Sequence, residues 1–131
     1  MQNEDVVTIG LTEQSHGVLQ RLKDEQAFPE MVDGYRFAIA LAINRSLIAQ
    51  EQTRMTTIFN VGTLDPDGTI RNMISELFPE MPNPYSVAQR LAEAGIAELG
   101  RIRGASDIRF GPLVRDLMSA GQTDAFAPEL R

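Results

Sequence analysis

The sequence predicts a mainly α fold, in which about five helices surround a buried central helix at about residues 30–49. The strongest indication is an unbroken apolar run at residues 37–43, which would coat a helix on every side. Apolar residues recur at helical spacing in several further segments. Only a short stretch at about residues 6–11 has the composition of an extended strand. The length of 131 residues suits one domain with its own core.

The N-terminal part is predicted to contain a short strand and a capped helix. Apolar residues alternate along residues 6–11 and would share one face of a strand, which needs a partner strand to be stable. Thr12 is a good N-cap, and an apolar stripe follows it to about Lys23. We therefore place the first helix directly after the extended segment.

The central helix is expected to extend from about residue 30 to about residue 49. Most helices of a small domain bury one stripe, whereas residues 37–43 must be covered on every side. The cover can come from the same chain or from a second copy, so we predict a homo-oligomer, either a dimer or a tetramer. The predicted interface residues are Phe37, Ile39, Leu41 and Ile43.

The middle of the chain is predicted to be a polar connector followed by a turn and a short helix. The connector covers residues 50–57 and leads to residues 58–62, to which no element is assigned. Residues 66–68 (Pro-Asp-Gly) form a turn sequence, because proline presets its own φ and glycine accepts a positive φ. Thr69 is then placed to cap a helix that ends at about Leu77.

A long helix is predicted in the C-terminal part. Asn83 as N-cap and Pro84 as first helical residue suit a helix that reaches about Ile102 and is stopped by Gly104. A last short helix is predicted after Pro112. We predict a single domain over residues 1–131, with a strand-helix-helix unit (6–50), a C-terminal helical part (58–119) and a loose tail (120–131).

The composition restricts the class of protein. The sequence has no cysteine, which excludes a disulfide framework, a thiolate metal site and a cysteine nucleophile. There is no basic segment followed by an apolar run at the N-terminus, and no run approaches the roughly 20 apolar residues that span a bilayer. We therefore predict a cytoplasmic protein without membrane contact. The formal net charge of −6 means that any DNA contact would need a local basic patch.

No residue pattern predicts a catalytic or metal site. His16 is the only histidine and has no second histidine or cysteine with which to share a metal ion. Residues 65–68 resemble part of a calcium loop, but the matching register places Ile74 where a bidentate glutamate is required. We predict no catalytic residue, no metal and no cofactor, and hence a protein that is not an enzyme. A hydrolase with an unrecognised site is the weaker alternative.

The order of strand, capped helix and buried helix resembles the layout of ribbon-helix-helix proteins. Residues 8–15 are similar to the strand-to-helix junction of that family, and the resemblance covers about residues 6–48. It implies a dimer in which two copies pair their strands. Val6, Thr8 and Gly10 fall at the positions that would face the major groove of DNA.

A second resemblance covers about residues 8–100. Four short segments resemble the DndE family, small accessory proteins of bacterial DNA sulfur modification: residues 21–23 (Arg-Leu-Lys), 36–41, 74–79 and 93–96. The resemblance implies an oligomeric α-helical protein with affinity for DNA and no catalytic site.

The predicted function is that of a non-enzymatic oligomeric accessory protein of a DNA-modification or DNA-regulation system. DNA contact would use basic residues, and the candidates are Arg21, Lys23, Arg36, Arg101, Arg103 and Arg109. Arg36 opens the apolar run and must reach water or be paired, and Asp33 lies on the same helix face. The alternative is a protein–protein interaction subunit with no nucleic-acid contact, which the acidic balance favours.

Overall fold

The computed structural model describes residues 5–52 and 54–105, which form five helices and two short strands. In chain order these are β1 (Thr8–Leu11), α1 (Glu13–Asp24), α2 (Met31–Asn44), β2 (Thr56–Asn60), α3 (Val61–Leu64), α4 (Thr69–Leu77) and α5 (Pro84–Ala105). The predicted mainly α class is confirmed. The helix predicted after Pro112 and the tail predicted at 120–131 lie outside the described residues. In the described part, no helix has the length and apolarity needed to cross a bilayer.

Helix α1 is closed by a cap at each end. The hydroxyl of Thr12, the predicted N-cap, accepts a hydrogen bond from Ser15 N at 3.3 Å. At the other end Gln26 has a φ of 66°, and Ala27 N donates to Leu22 O at 2.9 Å. These features define a Schellman motif in which glutamine, rather than glycine, supplies the left-handed residue.

Helix α2 is the central helix, and α5 is its main packing partner. Five residues of the apolar run are buried, namely Phe37, Ala38, Ile39, Leu41 and Ala42, whereas Ile43 is half-buried and Ala40 is exposed. The prediction of a buried central helix is therefore confirmed. The chain's own elements provide most of the cover.

Helix α2 ends at Asn44, earlier than the predicted end near residue 49. Ser46 has a φ of 57°, and Leu47 N donates to Ala42 O at 2.8 Å. This second Schellman motif also forms without glycine. The helical spacing of Leu47 suggested that the helix continues, but Leu47 packs against the core from beyond the helix end.

Helices α2 and α5 come into backbone contact at Gly95. A Cβ atom at this position would lie 2.1 Å from the carbonyl oxygen of Ala38 and 2.8 Å from its Cα. Gly95 and Ala38 are both buried. The absence of a side chain at Gly95 therefore sets how closely the two main core helices approach.

Strands β1 and β2 pair in antiparallel orientation within one chain. Ile9 lies opposite Phe59 and Gly10 lies opposite Thr57, so Ile58 is the extra residue of a β-bulge. The sequence indicated that β1 needs a partner. It did not identify β2, because the first residues of that strand were assigned to the polar connector.

The outer edge of β1 is occupied by side chains from two helices. Gly10 N donates to Gln89 Oε1 of α5 at 2.8 Å, and the Tyr35 hydroxyl of α2 donates to Gly10 O at 2.9 Å. Both backbone groups of Gly10 therefore point away from β2. In an antiparallel pair of this type the opposite residue also points its backbone groups outward. Thr57 accordingly directs its N–H and C=O to the outer edge of β2.

Helix α4 is capped by an aspartate rather than by the predicted Thr69. Asp65 accepts hydrogen bonds from Ile70 N at 2.8 Å and Arg71 N at 3.0 Å. The predicted turn is present, because Gly68 N donates to Asp65 O at 3.2 Å and Gly68 has a φ of 77°. Thr69 is the first residue of the helix.

Helix α5 begins at Pro84, as predicted, and continues past Gly104, where the sequence had placed its end. Its first turn is capped by the N-terminal segment. Asp5 accepts hydrogen bonds from Tyr85 N at 2.7 Å and from Ser86 N at 3.1 Å. A carboxylate is also favoured at this end of a helix because the backbone dipole is positive there.

Candidate functional site

Arg36, the first candidate for phosphate contact, is bound by groups of its own chain. Its Nε donates to Leu64 O at 3.0 Å, and its Nη2 donates to Thr63 O at 3.0 Å. Nη1 lies 3.4 Å from Asp33 Oδ1, the partner that the sequence spacing indicated. The guanidinium therefore satisfies the carbonyl groups at the end of α3 and fixes that helix to α2.

Arg101 forms a bidentate ion pair with Glu98. Arg101 Nε and Nη2 lie 3.0 and 2.7 Å from the carboxylate, and Arg45 Nη1 lies 2.6 Å from the same group. The hydrogen bond from Arg101, with a smaller contribution from Arg45, holds the pKa of Glu98 below its usual range.

The other two C-terminal candidates are placed only in part. Arg103 is in the last turn of α5, and Arg109 lies outside the described residues.

Arg21 and Lys23 lie together in the last turn of α1. Arg21 is exposed and Lys23 is half-buried, and neither forms an ion pair with another described residue. Cations are favoured at a helix C-terminus because the backbone dipole is negative there. Among the candidates whose side chains the structure describes, these two have charged groups that are available to a ligand.

A buried carboxylate links α5 to the start of α1. Glu93 is 8% exposed and accepts hydrogen bonds from Thr12 N at 3.0 Å, Thr12 Oγ1 at 2.8 Å and Ser15 Oγ at 2.7 Å. The serine hydroxyl bonds directly to the carboxylate, without the histidine that carries the proton in a serine–histidine–carboxylate triad. This network caps α1 and joins it to α5, and it is not arranged for acyl transfer.

A second buried carboxylate organises the start of α4. Besides two backbone amides, Asp65 accepts a hydrogen bond from the Tyr85 hydroxyl at 2.7 Å. The calcium-loop fragment noticed in the sequence is therefore occupied by internal donors. Across the described ranges, no three His, Asp or Glu side chains are grouped as metal ligands.

The two tyrosines should both titrate at unusually high pH. Burial raises the pKa of Tyr35, and burial together with the Asp65 hydrogen bond raises the pKa of Tyr85 to about 12. We expect the folded protein to gain phenolate absorbance only near pH 12, whereas the unfolded chain titrates near about pH 10. Because folding favours the protonated phenols, their contribution to stability is complete below about pH 10 and decreases as the pH rises toward 12.

The Tyr85→Phe variant is the control for this titration. Only Tyr35 remains in it, so the increase near pH 12 should disappear from the folded-state curve. A native protein that ionises one tyrosine near pH 10 would contradict the hydrogen bond between Tyr85 and Asp65.

The predicted oligomer-interface residues lie largely inside the chain's own core. Phe37, Ile39 and Leu41 are 8%, 2% and 5% exposed, and Ile43 is half-buried. The structure thus accounts for the apolar run without a second copy at these positions. Association of the chain stays a prediction, and other surfaces are better placed for it.

Helix α4 exposes two of its apolar side chains. Ile74 is buried, but Met73 is 36% exposed and Leu77 is 51% exposed. Residues 73 and 77 are one helical turn apart and lie on the same side of Ile74. They form the exposed apolar face of α4, which is defined here by these two residues. Helical spacing alone could not show that the helix buries only part of its apolar surface.

A shallow groove lies between the start of α1 and the segment before β2. Its lining is polar and consists of Thr12, Glu13, Gln14, Gln52, Arg54, Met55 and Thr56. The lining contains no histidine and no buried titratable side chain. The ionisable side chains of the lining, Glu13 and Arg54, are both exposed.

Comparisons with protein-family models, with curated proteins and with solved structures find no match to this chain.

Proposed function

We propose that the protein is a non-enzymatic interaction subunit that forms homo-oligomers through the exposed apolar face of α4 and makes no contact with nucleic acid. The observation that carries the proposal is the exposure of Met73 and Leu77 next to each other. Large apolar side chains grouped on a surface favour a protein partner. Such a subunit would serve a DNA-modification or DNA-regulation system, as the family resemblance implies, by binding its protein components.

The state of the arginines also supports this choice over DNA contact. Arg36 and Arg101 donate to carbonyl and carboxylate groups of the same chain, so phosphate binding would require these bonds to break. The formal net charge of −6 adds a general repulsion of DNA. A protein surface is therefore the better partner for this chain.

Substitution of Leu77 by lysine is expected to weaken self-association. Light scattering of the wild-type protein should give a mass above that of the 14.5 kDa chain. Leu77→Lys should lower this mass, because an ammonium group would have to be desolvated in an apolar interface. Ser75→Lys is the matched control, since it adds the same charge at an exposed position on the other side of Ile74. A wild-type protein of single-chain mass at every concentration would contradict the proposal.

DNA contact through Arg21 and Lys23 is the second candidate function. The observation that favours it is that both cations lie in one helical turn without an ion-pair partner among the described residues. A mobility-shift titration with nicked and intact duplex, at low and moderate salt, separates the two functions. Two neutralised phosphates would give a salt slope of about −1.8, and the Arg21→Gln/Lys23→Gln variant would abolish the shift. Absence of any shift at low salt leaves the interaction subunit.

A further inference from the structure

The outer edge of β2 is open in the part of the chain that the structure describes. The alternation of the antiparallel pair points the N–H and C=O of Thr57 to this edge, where they form no hydrogen bond with a described residue outside the β1–β2 ladder. Residues 56–60 (Thr-Thr-Ile-Phe-Asn) contain no charged side chain and no proline. Charges and prolines are the usual means by which an edge strand avoids pairing, so this edge can accept another strand.

The opposite edge of the sheet is closed. The two backbone groups of Gly10 are bound by Gln89 and Tyr35, and the Tyr35 side chain is buried. A Cβ atom on Gly10 would lie 1.9 Å from the Thr56 carbonyl oxygen, so the strands approach closely on their inner side. The fold therefore blocks strand addition next to β1 and permits it only next to β2.

We propose that β2 pairs in antiparallel orientation with β2 of a second copy, about a two-fold axis at Thr57. In each copy Thr57 N–H donates to the Thr57 carbonyl oxygen of the other, and two two-stranded sheets become one four-stranded sheet. A two-fold pairing of identical strands is self-complementary, and these strands place no like charges opposite each other. A second copy of the strand satisfies these conditions without any other partner.

The bulge at Ile58 limits how long this pairing can be. About this axis the residues before Thr57 in one copy face the residues after Thr57 in the other, where the bulge displaces the backbone, so the regular ladder is confined to the immediate surroundings of Thr57. The strand-paired dimer should therefore dissociate on dilution.

This interface is separate from the exposed apolar face of α4. The strand-pairing inference rests on the proposed function only for the claim that copies of the chain associate. Two different two-fold interfaces together generate a tetramer.

Cysteine cross-linking tests the position of the two-fold axis. The chain has no cysteine, so Thr57→Cys introduces one thiol per copy. In a hydrogen-bonded antiparallel pair the Cα atoms are about 5.5 Å apart, within the range of about 4.4–6.8 Å that a disulfide bridges. In a Leu77→Lys background, concentrated Thr57→Cys protein should oxidise to a covalent dimer. Gln20→Cys, at an exposed position of α1, should remain uncrosslinked under the same conditions.

A proline substitution tests the backbone bonds themselves. Thr57→Pro removes an N–H that points away from β1, so the β1–β2 ladder and the far-ultraviolet circular dichroism should be unchanged. Added to Leu77→Lys, it should reduce the mass in light scattering from that of a dimer to that of one chain. Thr57→Val retains the N–H and should leave the dimer intact.

The outcomes separate this inference from the proposed function. Selective cross-linking at Thr57 together with loss of the dimer in Thr57→Pro supports strand pairing. An oligomeric wild-type protein without cross-linking at Thr57 overturns strand pairing and leaves association through α4 in place. Single-chain mass of the wild-type protein at every concentration overturns both.

Discussion

Gly95→Ala is expected to lower the free energy of unfolding by about 3 kcal/mol. The added methyl group would lie 2.1 Å from the carbonyl oxygen of Ala38, which belongs to the backbone of the central helix. A flexible side chain could move aside, but this backbone is held by the hydrogen bonds of α2. Relief therefore requires α2 and α5 to separate, which loosens the core along both helices. Urea unfolding followed by circular dichroism measures the effect.

Gly17→Ala is the matched control for this substitution. Gly17 is inside α1 and exposed, and a Cβ atom there would meet no atom within 4 Å. Alanine should raise the free energy of unfolding by about 0.5–1 kcal/mol, because glycine has the more flexible backbone in the unfolded chain. If both variants unfolded at the same urea concentration as the wild type, the close crossing at Gly95 would be wrong.

Glu93→Leu is expected to cost about 3 kcal/mol, although leucine fills a similar volume. The substitution removes the acceptor for Thr12 N, Thr12 Oγ1 and Ser15 Oγ, three donors at the start of α1. The hydroxyl groups can rotate, but the amide cannot, and a buried donor without a partner is costly. The cap of α1 and its attachment to α5 are lost together. Thermal and urea unfolding should both show the decrease.

Glu76→Leu is the control for the loss of a glutamate. Glu76 is exposed on α4, and its side chain has no described partner. Its replacement should change the free energy of unfolding by no more than about 0.5 kcal/mol. Glu93→Gln should be intermediate, because an amide keeps one acceptor oxygen but turns an NH2 group toward donors. Equal midpoints for Glu93→Leu and Glu76→Leu would refute the capping role of Glu93.

Features that depend on neighbouring residues were predictable from the sequence. Thr12 caps α1, Pro84 begins α5, and the turn that ends at Gly68 is present. The apolar run at 37–43 is the core of the central helix. In each case the physical cause, such as a hydroxyl near free amides or a ring that fixes φ, lies within a few residues of its effect.

Features that depend on distant residues were not predictable in this way. Asp5 caps a helix that begins 79 residues later, at Pro84, and the acceptor for Thr12 N is Glu93. A carboxylate in the sequence does not show which distant helix it serves. The left-handed residues Gln26 and Ser46 gave no signal, because helix ends of this type usually contain glycine.

The same distinction between nearby and distant causes applies to the candidate functional residues. The Asp33–Arg36 pair follows from helical spacing and is present in the structure. The carbonyl acceptors of Arg36 belong to α3, a single turn that the sequence did not reveal. The helical spacing of Met73, Ile74 and Leu77 marks them as apolar positions of one helix. It could not show that only Ile74 would be buried, because that depends on where α5 crosses α4.

The N-terminal segment has polar partners on α5 in addition to its pairing with β2, and this affects the order in which the chain can fold during synthesis. Asp5 bonds to Tyr85, and Gly10 bonds to Gln89. Asp5 and Gly10 emerge from the ribosome long before α5 exists, so these two bonds must wait for the later part of the chain. Contacts of such long sequence separation also slow folding. The bonds of Asp5 and Gly10 to α5 are therefore among the last to form, although both residues are synthesised well before that helix.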